Sequence, residues 1–144
     1  MIILPKYYEE NVLVKDIEKL LVILNKLGVI AGRTRFQKLI FLLRNKDGIE
    51  LNYNFIPYYY GPYSTELQLE IDLLEAAGLV QVVPQDGNLY THRLTPEGER
   101  AVLEIERKME ASERTKLEGA LRNYKRISTG SLIRKAKQLA AMSI

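Results

Sequence analysis

Residues 73–98 read LLEAAGLVQVVPQDGNLYTHRLTPEG, and the fold turns on how this stretch divides. Two β-prone runs, Leu79 to Val83 and Leu89 to Leu94, flank Pro84-Gln85-Asp86-Gly87-Asn88. Asp-Gly tolerates the positive φ of a tight turn, so residues 79–94 are predicted to form an antiparallel hairpin turning near Asp86-Gly87. Just upstream, Leu67, Ile71, Leu74 and Ala77 recur at helical spacing behind a cap at Ser64 or Thr65, and Gly78 closes that helix. Downstream, Thr95-Pro96 is a helix start, with Thr as N-cap and Pro at the first helical position.

Working outward toward the N-terminus, Ile17, Leu20, Leu21, Leu24 and Leu27 define an amphipathic helix from Asp16 that Gly28 stops. Thr34 and Gln37 stand at capping-box spacing and are expected to open a second helix. Phe36, Leu39, Ile40 and Leu43 lie on one face of it, and Asp47-Gly48 ends it. Residues 51–60 are rich in Tyr and Phe and alternate imperfectly, as a strand or extended segment does, until Gly61-Pro62 breaks them. Residues 1–14 read as an arm or edge strand. Toward the C-terminus, a helix from Pro96 to about Ala111 carries Val102, Ile105 and Met109, and a further stretch carries Leu117, Leu121 and Tyr124. Ser128 to Ser131 interrupts, and a last short helix holds Leu132, Ile133, Ala136 and Leu139. A helix feeding directly into a tight hairpin is the winged-helix arrangement. The predicted class is therefore α+β, mainly α: a winged helix-turn-helix over residues 1–98 with an N-terminal arm. Residues 99–144 add C-terminal helices to the same compact unit. Leu21, Leu24, Leu39, Leu43, Leu67, Ile71 and Leu74 are expected to share its core.

Composition bounds what such a unit can do. At 144 residues, 47% apolar and 27% charged, the chain has room for one globular domain. The apolar runs Leu20 to Leu24 and Leu39 to Leu43 are too short to span a bilayer, and no charged-then-apolar leader stands at the start. A cytoplasmic location without membrane association is the expectation. Without cysteine there is no thiolate nucleophile, disulfide or thiolate metal site, and a lone histidine, His92, rules out a histidine metal cluster. With no phosphate-cradling glycine loop either, neither an enzyme nor a cofactor or metal protein is expected. Absence of cysteine, with charge dominated by Lys, Arg and Glu, also fits a thermophilic source. The net charge of +3 is uneven: residues 1–98 hold 10 Lys and Arg against 12 Asp and Glu, residues 99–144 hold 11 against 6.

Two resemblances bear on function. Leu73 to Val80, the hairpin, and Tyr90 to Gly98 with its Leu94-Thr95-Pro96-Glu97-Gly98 ending resemble MarR- and PadR-type winged-helix regulators over residues 64–103; that resemblance implies transcriptional control. Phe36-Gln37-Lys38-Leu39-Ile40-Phe41, followed by Tyr60-Gly61-Pro62-Tyr63, is similar to the Panacea or SocA-like antitoxin domain, with Arg35 where that family has Lys. This second resemblance implies binding of a partner protein.

The side chains divide the same way. Arg33, Arg35, Lys38, Arg44 and Lys46 fall on the second helix, with Arg35 and Lys38 expected on one exposed face. Arg122, Lys125, Arg126, Arg134, Lys135 and Lys137 form a run without an acid, suited to phosphate contacts. The hairpin offers Arg93 and His92. On the third helix only Ser64, Thr65 and Gln68 could read bases, because residues 64–77 hold no Lys or Arg and carry Glu66, Glu70, Asp72 and Glu75. Phe55, Tyr58, Tyr59, Tyr60 and Tyr63 are an aromatic run whose ordinary use is to pack a sheet onto helices; exposed, it could stack on bases or a peptide. The leading reading is a DNA-binding transcriptional regulator that contacts double-stranded DNA through Arg33, Arg35, Lys38, Ser64, Thr65, Gln68, Arg93, Arg122, Lys125 and Arg126. It would be a homodimer held by its C-terminal helices, where Val102, Ile105 and Met109 make a stripe with little domain left to cover it. The alternative is an antitoxin-like module that holds a partner protein through Tyr58, Tyr60, Tyr63, Glu66 and Glu70. A positive surface running across the second helix, hairpin and C-terminal helices favours DNA; an acidic or apolar exposed third helix favours protein.

Overall fold

The computed structural model describes residues 14–142, so the arm expected over residues 1–14 lies outside the described residues but for Val14, which is buried. The elements run α1 (Asp16–Leu27), β1 (Val29–Ala31), α2 (Arg33–Asn45), α3 (Thr65–Ala76), β2 (Val80–Gln85), β3 (Leu89–Leu94), α4 (Pro96–Lys108), α5 (Ala111–Leu121) and α6 (Thr129–Met142). The chain is α+β and mainly helical, with one small antiparallel sheet in the strand order β1-β3-β2. The hairpin forms where Asp-Gly places it: β2 and β3 pair from Val80↔Leu94 to Gln85↔Leu89, and Asp86–Asn88 turns with Gly87 at φ +74°. On its other side β3 pairs with β1, three residues between Gly28 and Gly32 that periodicity alone is too short to reveal.

The helices bury the faces their spacing defines. Leu21, Leu24, Leu39, Leu43, Leu67, Ile71 and Leu74 belong to one cluster, each at most 2% exposed. Burying a leucine side chain stabilises a fold by about 1.5–3 kcal/mol, so this face alone outweighs any single polar contact in the molecule. The Thr95-Pro96 start is as expected, with Thr95 Oγ1 accepting the Gly98 N–H at 3.0 Å and donating to the Gly78 carbonyl at 2.6 Å. Gly98 is required by close approach: a Cβ there would overlap the Leu79 carbonyl oxygen. One threonine and one glycine thus lock α4 against the end of α3 and the start of β2.

Three expectations are corrected, and one open alternative is decided. The capping box proposed at Thr34 is absent, because α2 already starts at Arg33 with Gly32 at its cap, and the Gln37 side chain is engaged elsewhere. Of the two readings of residues 51–60, strand or extended segment, the strand does not form; their one ladder-type pairing is the Ile56–Tyr63 bridge. The alternation is real, with Leu51 and Tyr53 buried and Asn52 and Asn54 exposed, but carboxylates stand in for a neighbouring strand. Asp16 Oδ2 accepts the Asn52 N–H at 2.9 Å and Glu66 Oε1 the Asn54 N–H at 2.8 Å. The stripe of Val102, Ile105 and Met109 is not left uncovered. All three are buried because α4 packs on α1, tied across it by Lys26–Glu106 at 3.7 Å and Lys108–Glu18 at 3.2 Å. The stripe is therefore not the exposed apolar patch expected to hold a homodimer. Tyr124, expected on a helix, follows α5 in a turn, buried, its hydroxyl donating to Asp47 Oδ2 at 2.5 Å.

Candidate functional site

The entry to α3 is built by α2. Gln37 Nε2 donates to the Ser64 carbonyl at 2.9 Å, and Gln37 Oε1 accepts the Ser64 N–H at 2.8 Å. One residue on, Lys38 Nζ donates to the Pro62 carbonyl at 2.8 Å. Ser64 itself caps α3, its Oγ accepting the Leu67 N–H at 3.2 Å. The Gln37-Lys38-Leu39 and Tyr60-Gly61-Pro62 segments are therefore two halves of one structural unit, a helix clamping a turn. Burial, and then the neighbouring Lys137, lower the pKa of the Lys38 amine to about 8.

This arrangement removes three residues from the expected DNA-contacting set. Lys38, expected on an exposed face, is buried, because its amine is needed at the Pro62 carbonyl. Ser64 is fully buried at the helix cap. Arg35 is half-buried, with Nη2 donating to the Tyr124 carbonyl at 3.3 Å and Nη1 to Thr129 Oγ1 at 3.5 Å. Burial lowers its pKa, and its role is to fasten α2 to the start of α6.

The outward face of α3 presents Thr65, Glu66, Leu69, Asp72, Leu73 and Glu75. Leu69 and Leu73 are 62% and 59% exposed and stand one helical turn apart. Neither stands out in the sequence as a site residue, although both are leucines left off the face made by Leu67, Ile71 and Leu74. Gln68, expected to read bases, is half-buried with Nε2 donating to Asp72 Oδ1 at 3.1 Å. Glu66, exposed at the edge of that face, and the half-buried Glu70 each bond the 51–54 segment: Glu66 Oε1 accepts the Asn54 N–H at 2.8 Å and Glu70 Oε2 the Tyr53 hydroxyl at 3.0 Å, and burial raises the Glu70 pKa.

The aromatic run does not pack as a core layer. Tyr58, Tyr59 and Tyr60 are 61%, 79% and 53% exposed, because the chain turns at the Gly61 N–H to Tyr58 carbonyl bond of 3.0 Å and throws them outward. Only Phe55, against Phe41 at 5.2 Å between ring centroids, and the half-buried Tyr63 point inward in part.

The remaining cations are scattered. Arg33 lies over the Tyr90 ring at 5.7 Å, and Arg93 Nε donates to Gln81 Oε1 at 3.2 Å across the hairpin. Arg122, Lys125 and Arg126 are exposed beyond α5, with no side-chain hydrogen bond or ion pair among the described residues. His92 is buried edge-on to Phe36 at 5.5 Å, and so is absent from the hairpin surface; burial lowers its pKa. Among the described residues no group of three or more His, Cys, Asp or Glu could hold a metal, and no helix is long and apolar enough to cross a membrane. Compared with known proteins, the chain matches no family model, no curated protein and no solved structure.

Proposed function

We propose that the chain is a winged-helix module that holds a partner protein on α3, in the manner of an antitoxin, instead of reading DNA bases with it. The winged-helix reading is supported by the order α1-β1-α2-α3-β2-β3, by the strand order β1-β3-β2, and by α3 running straight into the β2–β3 hairpin. The connection into α3 departs from a DNA-reading helix-turn-helix. Such a motif joins its helices through about 3–4 residues, whereas residues 46–64 intervene between α2 and α3 here.

The observation that carries the proposal is the outward face of α3: two exposed leucines one turn apart, flanked by Glu66, Asp72 and Glu75, without a cation. Carboxylates facing phosphates repel them, and leucine offers base edges no hydrogen bond. An apolar pair on a helix with an acidic border is instead how a helix docks into a groove on another protein. The test compares wild type with a Leu69→Asp/Leu73→Asp variant, isolated from the native host with bound protein and bound nucleic acid analysed separately. The variant should keep its helical circular dichroism and lose the proteins that wild type retains. Identical protein profiles for the two, or sequence-selective duplex binding that the substitutions abolish, would sink the proposal.

A second reading rests on a different observation, the unpartnered exposure of Arg122, Lys125 and Arg126. Such residues suit contact with a phosphate backbone without sequence choice. This surface does not involve α3, and the two readings are separable by mutation.

A further inference from the structure

Between the C-terminal end of α2, the aromatic loop and the last turns of α6 lies a concavity of about 490 Å³. Its walls are apolar and aromatic, with Phe41, Phe55, Ile56 and Tyr58 among them, and among the described residues its charged lining is Arg44 and Lys137, with no Asp or Glu. We propose that this concavity binds a small amphipathic anion, a flat apolar body against the aromatic wall with its carboxylate, sulfonate or phosphate at Arg44 and Lys137. The site is independent of the α3 face.

The size is that of small-molecule pockets, about 300–1,000 Å³, which pair apolar walls with a few placed polar groups. The charge is the more specific indication. Where α1, α4 and α5 meet, cations are neutralised: Lys19 meets Glu113, Lys26 meets Glu118 and Lys108 meets Glu18, all within 3.6 Å. In the concavity they are not. Lys137 has no side-chain hydrogen bond or ion pair among the described residues, and Arg44 has only a 3.5 Å contact to Asn45 Oδ1.

Lys38 adds a third cation beneath the same wall. A Cβ on Gly61 would lie 3.2 Å from Lys137 Cγ and 3.4 Å from Lys38 Cε, so both lysine stems rest against one glycine. The repulsion between them contributes to the lowered pKa of Lys38. An anion at Lys137 would relieve that repulsion as well as gain its own attraction, and like charges brought together without a counterion are what a site for that counterion requires. Glycine at position 61 leaves room for this pairing of stems.

The probe for the test is 1-anilinonaphthalene-8-sulfonate, an amphipathic anion whose fluorescence reports burial, with uncharged N-phenyl-1-naphthylamine beside it. Wild type should bind the sulfonate saturably at one site per chain. Arg44 and Lys137 are both exposed, so an Arg44→Gln/Lys137→Gln variant should fold normally, verified by its melting curve. It should bind the sulfonate about tenfold more weakly, the scale of removing two ion pairs, and the uncharged probe unchanged. Absence of saturable binding, a change below twofold for the sulfonate, or equal weakening of both probes would overturn the proposal.

Discussion

The side-chain amide of Gln37 forms a two-bond ring with the backbone of Ser64, donating to its carbonyl at 2.9 Å and accepting its N–H at 2.8 Å, both groups buried. Replacing Gln37 with Leu keeps the volume and strands the Ser64 N–H out of water, while the Ser64 carbonyl keeps the Gln68 N–H at 3.2 Å. A buried donor left in that state costs about 1–3 kcal/mol. Gln37→Leu is therefore expected to lose about 1–3 kcal/mol in urea denaturation; a variant within error of wild type would show that the ring does not hold the turn.

Lys38 makes the same unit pH-sensitive. Its folded-state pKa is lowered to about 8, from the ordinary 10.5, by burial first and Lys137 second. Below about 8 the amine is charged in both states and the native fold bears the full cost of burying it. Between about 8 and 10.5 the unfolded chain binds more protons, so stability rises with pH through that window. The folded-state pKa values of Tyr53 and Tyr124 are raised, which lowers stability once pH passes the ordinary tyrosine range near 10. The contribution of Lys38 is thus isolated as the difference between wild type and Lys38→Met. That difference should move in favour of wild type by about 2–3 kcal/mol between pH 7.5 and 10.5, read from urea midpoints. A pH-independent difference would contradict it.

Leu73 and Leu74 are neighbours with opposite environments, 59% and 2% exposed. Leu74→Ala should cost about 2–5 kcal/mol. Leu73→Ala should stay within about 0.5 kcal/mol, since nothing among the described residues covers it. Equal shifts in melting temperature would mean that α3 is rotated from the orientation described.

That contrast also marks how far the sequence can be read. The hairpin, the α4 start and the seven-residue core follow from local chemistry: Asp86-Gly87 turns, Thr95-Pro96 caps, and leucines at helical spacing share a face. Strand β1 is not legible in this way, because Val29-Ile30-Ala31 is only three residues and gains its strand character by pairing with β3, 60 to 64 positions away. The same remoteness hides the site. Lys38 and Arg35 look like solvent-facing cations on a helix until Pro62 and Tyr124 supply buried carbonyls for them. The Gln37-Lys38-Leu39 and Tyr60-Gly61-Pro62 segments carry one resemblance between them, but spacing cannot say that one clamps the other. Leu69 and Leu73 are legible in principle, as leucines outside the buried face of their helix.

For the basic surface, the triple variant Arg122→Gln, Lys125→Gln, Arg126→Gln gives a quantitative check. If these residues touch phosphates, wild-type affinity for random duplexes should fall with salt at a log–log slope of about −0.9 per phosphate. The variant should then bind all sequences more weakly alike, with a slope flatter by about 0.9 for each phosphate it no longer neutralises. Unaltered slopes would assign these residues to ordinary solvated surface.

The most direct measurement of what α3 meets places a photo-crosslinking residue, p-benzoylphenylalanine, at position 69 in the native host, where the side chain is exposed and outside the core. Irradiation should join the chain to a polypeptide, and the same residue at the exposed position 100 on α4 should not give that product. Crosslinks from position 69 to DNA, or none to any protein, would contradict the assignment of this helix to protein binding.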